Sequence, residues 1–335
     1  MKKIIILLGL CTILTCCKEA KKEQNQNVLN ETKYEASLRF NWLTTCSFAG
    51  EVVGAKKFAE KHSLNLRLDE GGIGMDPIKL VQADENTFGL AGADLVLAAN
   101  DKGADFVIIG LVNYDSPGVW VSKKEKNIKS VDDIKPNTRI GELPGGNIIY
   151  LYEVFLKKAN LKRNTDFTPV PIPFELKNFI ASDECDLRPI FIYEVLPELD
   201  MLGIEYNVIE PKDENVSFKG LTYFCKRETI EKNPELVKAF IHTMIDGWTY
   251  ALANKKQSIE LLSEFDNSIN QEKELLGLKA GEDYFNGYEE KLLYSDLESW
   301  TQMINDMKDL GFLKNDVDLN KVLNLDFVKE YYKNE

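Results

Sequence analysis

The chain has 335 residues, 44% hydrophobic and 10% aromatic, and a formal net charge of −13. That apolar content supports one large or two medium cores. The acidic balance excludes the basic footprint that nucleic acid or an anionic lipid surface requires. His62 and His242 are the only histidines and stand alone. Neither a zinc-ligand spacing nor a Ser/His/Asp constellation is present, so no metal, no cofactor and no catalytic residue is expected.

Residues 1–17 read as an address. Lys2 and Lys3 precede an apolar run from Ile4 to Leu14, the layout of a secretory signal. The run is shorter than the roughly 20 residues of a membrane-spanning helix. It ends at Thr15-Cys16-Cys17, which resembles a bacterial lipobox with Cys17, or Cys16, as the acylated residue. Acyl chains suffice as an anchor because each buried methylene contributes about 0.8 kcal/mol. Residues 18–36 are rich in Lys, Glu, Gln and Asn and read as a solvated tether.

From Ser37 the pattern alternates strands and helices. Leu38, Phe40 and Trp42 share one face at period two. Phe48, Val52, Ala55 and Ala59 mark a helix to His62. After a strand at Leu64–Leu68, Gly71, Gly72 and Gly74 make a turn and Asp76-Pro77 caps the next helix. Phe88–Leu90 is a strand and Asp94–Asn100 a helix. Phe106–Val112 is a continuous apolar run, as in a strand buried on both faces. Gly118–Val121 is another strand. A second set follows: strands at Thr138–Ile140, Phe167–Ile172, Leu187–Tyr193, Tyr206–Ile209 and Leu221–Cys225, with Gly145-Gly146-Asn147 leading a helix to Asn160. Asn233-Pro234 opens a long helix with the stripe Leu236, Val237, Phe240, Met244, Trp248 and Ala251. The last segment is helical, with Trp300, Ile304 and Met307 facing inward. Repeated units of this kind predict an α/β fold with helices on both faces of an open sheet. Cys46, Cys185 and Cys225 are expected to be free, buried thiols.

The motifs in order resemble the NMT1/THI5-like solute-binding proteins of ABC importers. Trp42 ends the first strand and Ala49-Gly50 follow at the family's distance, with Phe48 in its His position and Thr44-Thr45 in its Pro-Asn positions. Asp76-Pro77-Ile78, Ala93-Asp94-Leu95, Gly103-Ala104, Ser116-Pro117 and Ile128 to Ile134 match in turn. Asp186 to Glu194, Gly203-Ile204 and Asn233-Pro234-Glu235 continue the series to cover roughly residues 37–330.

The resemblance implies a periplasmic-binding-protein-like type II fold, two α/β lobes joined by two hinge strands around a ligand cleft. The crossings fall near Val119–Ser122 and Thr222–Cys225. Lobe 1 is then 37–121 plus 222–335, and lobe 2 is 122–221. The implied role is a monomeric, lipid-anchored binding protein that delivers a small molecule to ABC permease and ATPase subunits, and not an enzyme. The implied ligand is a thiamine pyrimidine precursor, with a flavin or a sulfonate as alternatives. The remote alternative is a pyrimidine-synthesising enzyme of the THI5 type, whose cysteine-rich motif is absent here.

Candidate ligand residues follow from chemistry. Trp42 and Phe48 supply stacking faces. Asp94 and Glu194 accept from amino groups or ring N–H donors and disfavour anions. Gly145, Gly146 and Asn147 offer backbone amides before a helix. Arg188, Tyr114 and Tyr193 complete the set, with Trp120 and Tyr150 as further aromatics.

Overall fold

The computed structural model describes residues 33–72, 74–144 and 148–333. The signal and lipobox, residues 18–32 of the tether and the Gly145-Gly146-Asn147 segment lie outside the described residues.

The first four strands are β1 (Tyr34–Arg39), β2 (Leu64–Asp69), β3 (Thr87–Gly92) and β4 (Phe106–Leu111). They are followed by β5 (Gly118–Lys123), β6 (Arg139–Glu142), β7 (Thr168–Pro171), β8 (Arg188–Phe191), β9 (Tyr206–Ile209) and β10 (Leu221–Lys226). One sheet runs in the order β2-β1-β3-β10-β4, with β1 parallel to β2 and β3 and β10 antiparallel to β3 and β4. Every residue of β4 is buried, as its continuous apolar run predicts.

The second sheet repeats this plan. Strands β8-β5-β9 form one ladder with β5 antiparallel to both neighbours, and β6 pairs with β7 in parallel. A bridge between Ile140 and Leu187 joins the two ladders, with Gly141 N donating to Leu187 O at 2.9 Å. The resulting order β7-β6-β8-β5-β9 places the antiparallel strand fourth, as in the first sheet. In each sheet that strand is the one arriving from the other lobe.

The crossings are residues 112–117, between β4 and β5, and residues 210–220, between β9 and β10. They run side by side, with Val112 N donating to Leu221 O at 2.8 Å and Ser116 N to Phe218 O at 2.6 Å. The sequence reading put the crossings one segment later, inside β5 and β10. Those residues are buried ladder strands, and residues 118–121 therefore belong to the second sheet rather than the first lobe. The tether reading also ran too far. β1 opens at Tyr34, and Tyr34 to Ala36 pair in register with Leu64 to Leu66.

The helix expected from Phe48 to His62 is broken into turns of different width: a tight turn at Cys46–Phe48, an α segment Ala49–Val53, a wide π segment Gly54–Phe58 and a tight turn Glu60–His62. Close packing is the cause. A Cβ at Gly50 would lie 2.2 Å from the Trp248 ring, and one at Gly54 would lie 2.9 Å from Thr243 O. Two glycines thus let this segment press onto the helix Pro234–Ala253. The stripe of that long helix is buried throughout.

The chain after Gln271 closes the edge of the first sheet. Leu111 N donates to Leu293 O at 3.0 Å, and Asn324 N to Ile108 O at 2.8 Å. One helix of this segment, Gln271–Ala280, packs on Ile192–Met201 of the second lobe. Trp120 is fully buried and stacks on Phe155 at 3.8 Å. Cys46, Cys185 and Cys225 are free and buried, as expected.

Candidate functional site

A cleft of about 1010 Å³ opens between the lobes. The first lobe supplies the segment after β1, Gly72, residues 74–76 and one face of the helix Ala93–Asp101. The second lobe supplies the loop after β7, strand β8 and the first turn of Ile192–Met201. These are carboxyl ends of strands and amino ends of helices, where ligands of open α/β sheets sit.

Trp42 lines the cleft and is half-buried. It lies three residues beyond the end of β1, held by Gly71 N donating to its carbonyl at 3.0 Å. Only a glycine fits at 71: a Cβ there would lie 2.5 Å from Phe40 O and Trp42 N. Across the cleft stands Phe174, from the loop after β7. Its ring centroid is 6.2 Å from that of Trp42, with the planes tilted by 49°. Phe174 remains 46% exposed, an aromatic ring facing the opposite lobe.

Phe48 borders the cleft but is 1% exposed and stacks face to face on Phe40 at 4.3 Å. It is a core ring with an edge at the site. Tyr193 lines the cleft as well, buried against Phe285 at 5.8 Å and Phe191 at 6.3 Å.

Glu194 lines the cleft in the first turn of Ile192–Met201. Burial pushes its carboxyl up to about 7, assisted by Glu274 and opposed by Lys273. Asp94 does not border the cleft: it is 1% exposed, one position inside the helix Ala93–Asp101, and is not its cap. Burial raises it to about 7, and its Oδ2 has no hydrogen-bond partner among the described residues. Tyr150, which lines the cleft, has its hydroxyl raised by burial and, to a lesser degree, by the Asp94 carboxylate. Helix entry explains the misplacement. The helix begins at Ala93 with Gly92 as its cap, one residue earlier than expected, and Asp94 is buried within its first turn.

Arg188 borders the cleft but is committed elsewhere. Its guanidinium donates to Glu184 Oε1 at 2.7 Å and to the carbonyls of Pro173, Phe174 and Glu175 at 2.6, 3.0 and 3.4 Å. Tyr114 is not at the cleft. It belongs to the hinge, where its hydroxyl donates to Asp296, its ring stacks on Tyr288 at 5.4 Å and Lys219 Nζ lies 3.4 Å from the ring centroid. The first crossing falls at 112–117, which carries Tyr114 behind the site.

The other cations on the wall, Lys79 and Lys102, are exposed at the rim, and Lys79 lies 3.7 Å from Asp76. Beside the cleft, Cys46 N donates to Glu274 Oε2 at 2.6 Å. Burial and that carboxylate hold the Cys46 thiol well above its ordinary range, the opposite of an activated nucleophile. Among the described residues, no group of His, Cys, Asp or Glu is placed to hold a metal ion.

Sequence reasoning missed Phe174. The available signal was Pro171-Ile172-Pro173-Phe174, a proline-bounded loop at the carboxyl end of a strand. It also missed Glu51, fully buried beside the cleft wall. Tyr223 OH donates to Glu51 Oε1, and Trp248 Nε1 donates to the same oxygen at 3.3 Å and to Tyr223 Oη at 3.0 Å.

Three comparisons bear on this arrangement. The riboflavin-binding protein RibY of Chloroflexus aurantiacus (strain ATCC 29366 / DSM 635 / J-10-fl) is 24% identical over 251 residues, covering 72% of this chain and 70% of RibY. Among solved structures, the periplasmic sulfonate-binding protein SsuA from Methylobacillus flagellatus KT superposes with a TM-score of 0.69 at 15% identity, covering 91% of this chain and 95% of that one. The desulfurization enzyme DSZB does so with a TM-score of 0.62 at 12% identity, covering 89% and 99%. At such identities the structures establish the fold and leave ligand and chemistry open. The family model NMT1/THI5 like matches residues 46–258, more than half of the sequence, and the chain belongs to that family.

Proposed function

We propose that this chain is the solute-binding component of an ABC importer and that its cleft captures a flat N-heterocycle of flavin size. One observation carries the reading. The buried cation at the cleft, Arg188, has Nη1 bonded to Glu184 and Nη2 bonded to three carbonyls. The acid that lines the cleft, Glu194, is free to accept, and the buried carboxyl of Asp94 lies behind the wall with no partner for Oδ2 among the described residues. Such a site accepts hydrogen bonds from ring N–H or hydroxyl groups and repels sulfonate, nitrate or phosphate.

Size favours a multi-ring ligand. Pockets for drug-sized molecules run to about 300–1,000 Å³, and this cleft is at the top of that range. A single thiamine-type pyrimidine leaves most of it empty. The likeness to a riboflavin-binding protein points the same way. The enzyme reading gains nothing from Cys46, whose thiol is held protonated.

The same proposal places the protein outside the cytoplasmic membrane, anchored through Cys17 or Cys16. Among the described residues no helix is long and apolar enough to cross a membrane. Replacing both cysteines by serine should move the protein from the membrane to the soluble fraction, and retention in the membrane would refute the anchor.

Titration with riboflavin tests the ligand. We expect quenching of flavin emission on binding, with a Kd in the micromolar range or tighter, and at least tenfold weaker binding of alkanesulfonates. Tight sulfonate binding with no response to riboflavin would overturn the reading.

A further inference from the structure

We infer that Phe174 is the second wall of a slot for a planar ring, opposite Trp42, and that Arg188 is the positioning residue that holds it there. The inference rests on the heterocycle-binding function proposed above and names the ring's subsite.

The loop after β7 has little to hold it. Pro171 and Pro173 lack amide donors. The ladder ends with Ile172 N donating to Glu142 O at 3.0 Å, and the next main-chain bond of the loop begins at Ile180. Between them the carbonyls of Pro173, Phe174 and Glu175 converge on one nitrogen of Arg188. Arg188 is 2% exposed, and the other arm of its guanidinium is fixed by Glu184. The two terminal nitrogens of one rigid, planar fork reach Glu184 and the carbonyl cluster at once, which the single nitrogen of an ammonium does not. The loop is therefore wrapped around a buried cation, and the direction in which Phe174 leaves it is set by that grip.

The consequence appears in the other lobe. An unattached loop would fold its phenyl ring onto the nearest apolar surface. Phe174 instead projects toward Trp42 and stays 46% exposed. A flat ring needs about 3.5–4 Å on either face. The present 6.2 Å separation and 49° tilt fall just short of that, so a small relative movement of the lobes opens the slot and stacking closes it. Each ring contributes roughly 1 kcal/mol beyond its area burial.

Acrylamide quenching of tryptophan fluorescence tests the positioning without any ligand. Of the four tryptophans, Trp120, Trp248 and Trp300 are at most 1% exposed, so accessible quenching reports Trp42. Phe174→Ala should raise the quenching constant about twofold. Arg188→Met should raise it equally, and the double variant no further. Arg188→Lys keeps the charge and the fold but loses the fork, and should shift quenching in the same direction by a smaller amount. A role for Arg188 confined to stability of the second lobe would leave Trp42 unaffected. The positioning is overturned if Phe174→Ala exposes Trp42 while Arg188→Lys and Arg188→Met do not. The slot is overturned if Phe174→Ala leaves quenching unchanged. A second arm uses riboflavin: Phe174→Ala should weaken binding at least tenfold and Phe174→Trp should restore it, and equal affinity of Phe174→Ala and the parent overturns the ring subsite. If riboflavin fails to bind the parent protein, the proposed ligand is wrong, and the quenching arm decides the slot and its positioning by itself.

Discussion

Replacing Glu51 by glutamine should stabilise the protein in alkaline solution and not in acid. The carboxyl is fully buried, and burial raises it from an ordinary 4.5 to about 7 against the pull of its Tyr223 and Trp248 donors. In the unfolded chain it ionises near the ordinary value. Below that pH both states are protonated and the group costs nothing. Between 4.5 and 7 the unfolded state gains charge first, so stability falls as pH rises, by about 1.4 kcal/mol per unit. Above about 7 both states are ionised and the loss levels off at roughly 3 kcal/mol. Glutamine keeps an oxygen for both donors and removes the charge. It places an amide where Oε2 now has no partner, a pH-independent cost of about 1–3 kcal/mol. Denaturant unfolding at pH 4.5, 6, 7.5 and 9 reads the balance. The variant should gain on the parent across the first three points and no further at the fourth. A difference constant to within about 0.5 kcal/mol over the whole range would refute the reasoning.

The remaining expectations concern the cleft and its surroundings. Glu194→Gln should weaken riboflavin binding about tenfold at pH 8.5 and flatten its pH dependence. The parent carboxyl gains its proton below about 7 and loses acceptor capacity there, so affinity unchanged by the substitution would remove Glu194 from the site. Gly277→Ala should destabilise by about 1–3 kcal/mol, because its Cβ would lie 2.4 Å from Tyr193 O at the contact between the lobes, whereas the exposed neighbour Lys279→Ala should be neutral within about 0.5 kcal/mol. Ellman's reagent on the mature protein should find no thiol in the native state and three after denaturation, from Cys46, Cys185 and Cys225; four would mean that Cys17 is unmodified.

What the sequence made legible was set by local periodicity. The apolar run Phe106–Leu111 and the stripe from Leu236 to Ala251 announce a buried strand and a long amphipathic helix whatever they pack against. Asp76-Pro77 announces its helix because capping is local too: Asp76 Oδ1 accepts from Ile78 N at 3.0 Å. The misplaced features depend on tertiary partners. The crossings slipped because β5 and β10 read as strands equally well in either sheet. Phe48 and Glu51 differ by three positions on one helical segment, yet stacking on Phe40 and donors from Tyr223 and Trp248, distant in sequence, decide what each does. Arg188 lies in a family motif, and nothing local says that three carbonyls some fifteen residues upstream will claim it. Trp42 was legible because it follows a strand at the carboxyl end of a sheet. Phe174 follows one too, but β7 is short and its sides are half exposed, so its signal is weak.

The central claim is that the cleft holds a flat, uncharged or cationic N-heterocycle. Purifying the protein from the cells that make it, denaturing it and identifying the released small molecule by mass spectrometry tests that claim most directly. The expected release is a multi-ring heterocycle of the flavin class in about equimolar amount. A sulfonate, a nitrate or a phosphate ester without a heterocyclic ring released in the same amount would contradict it.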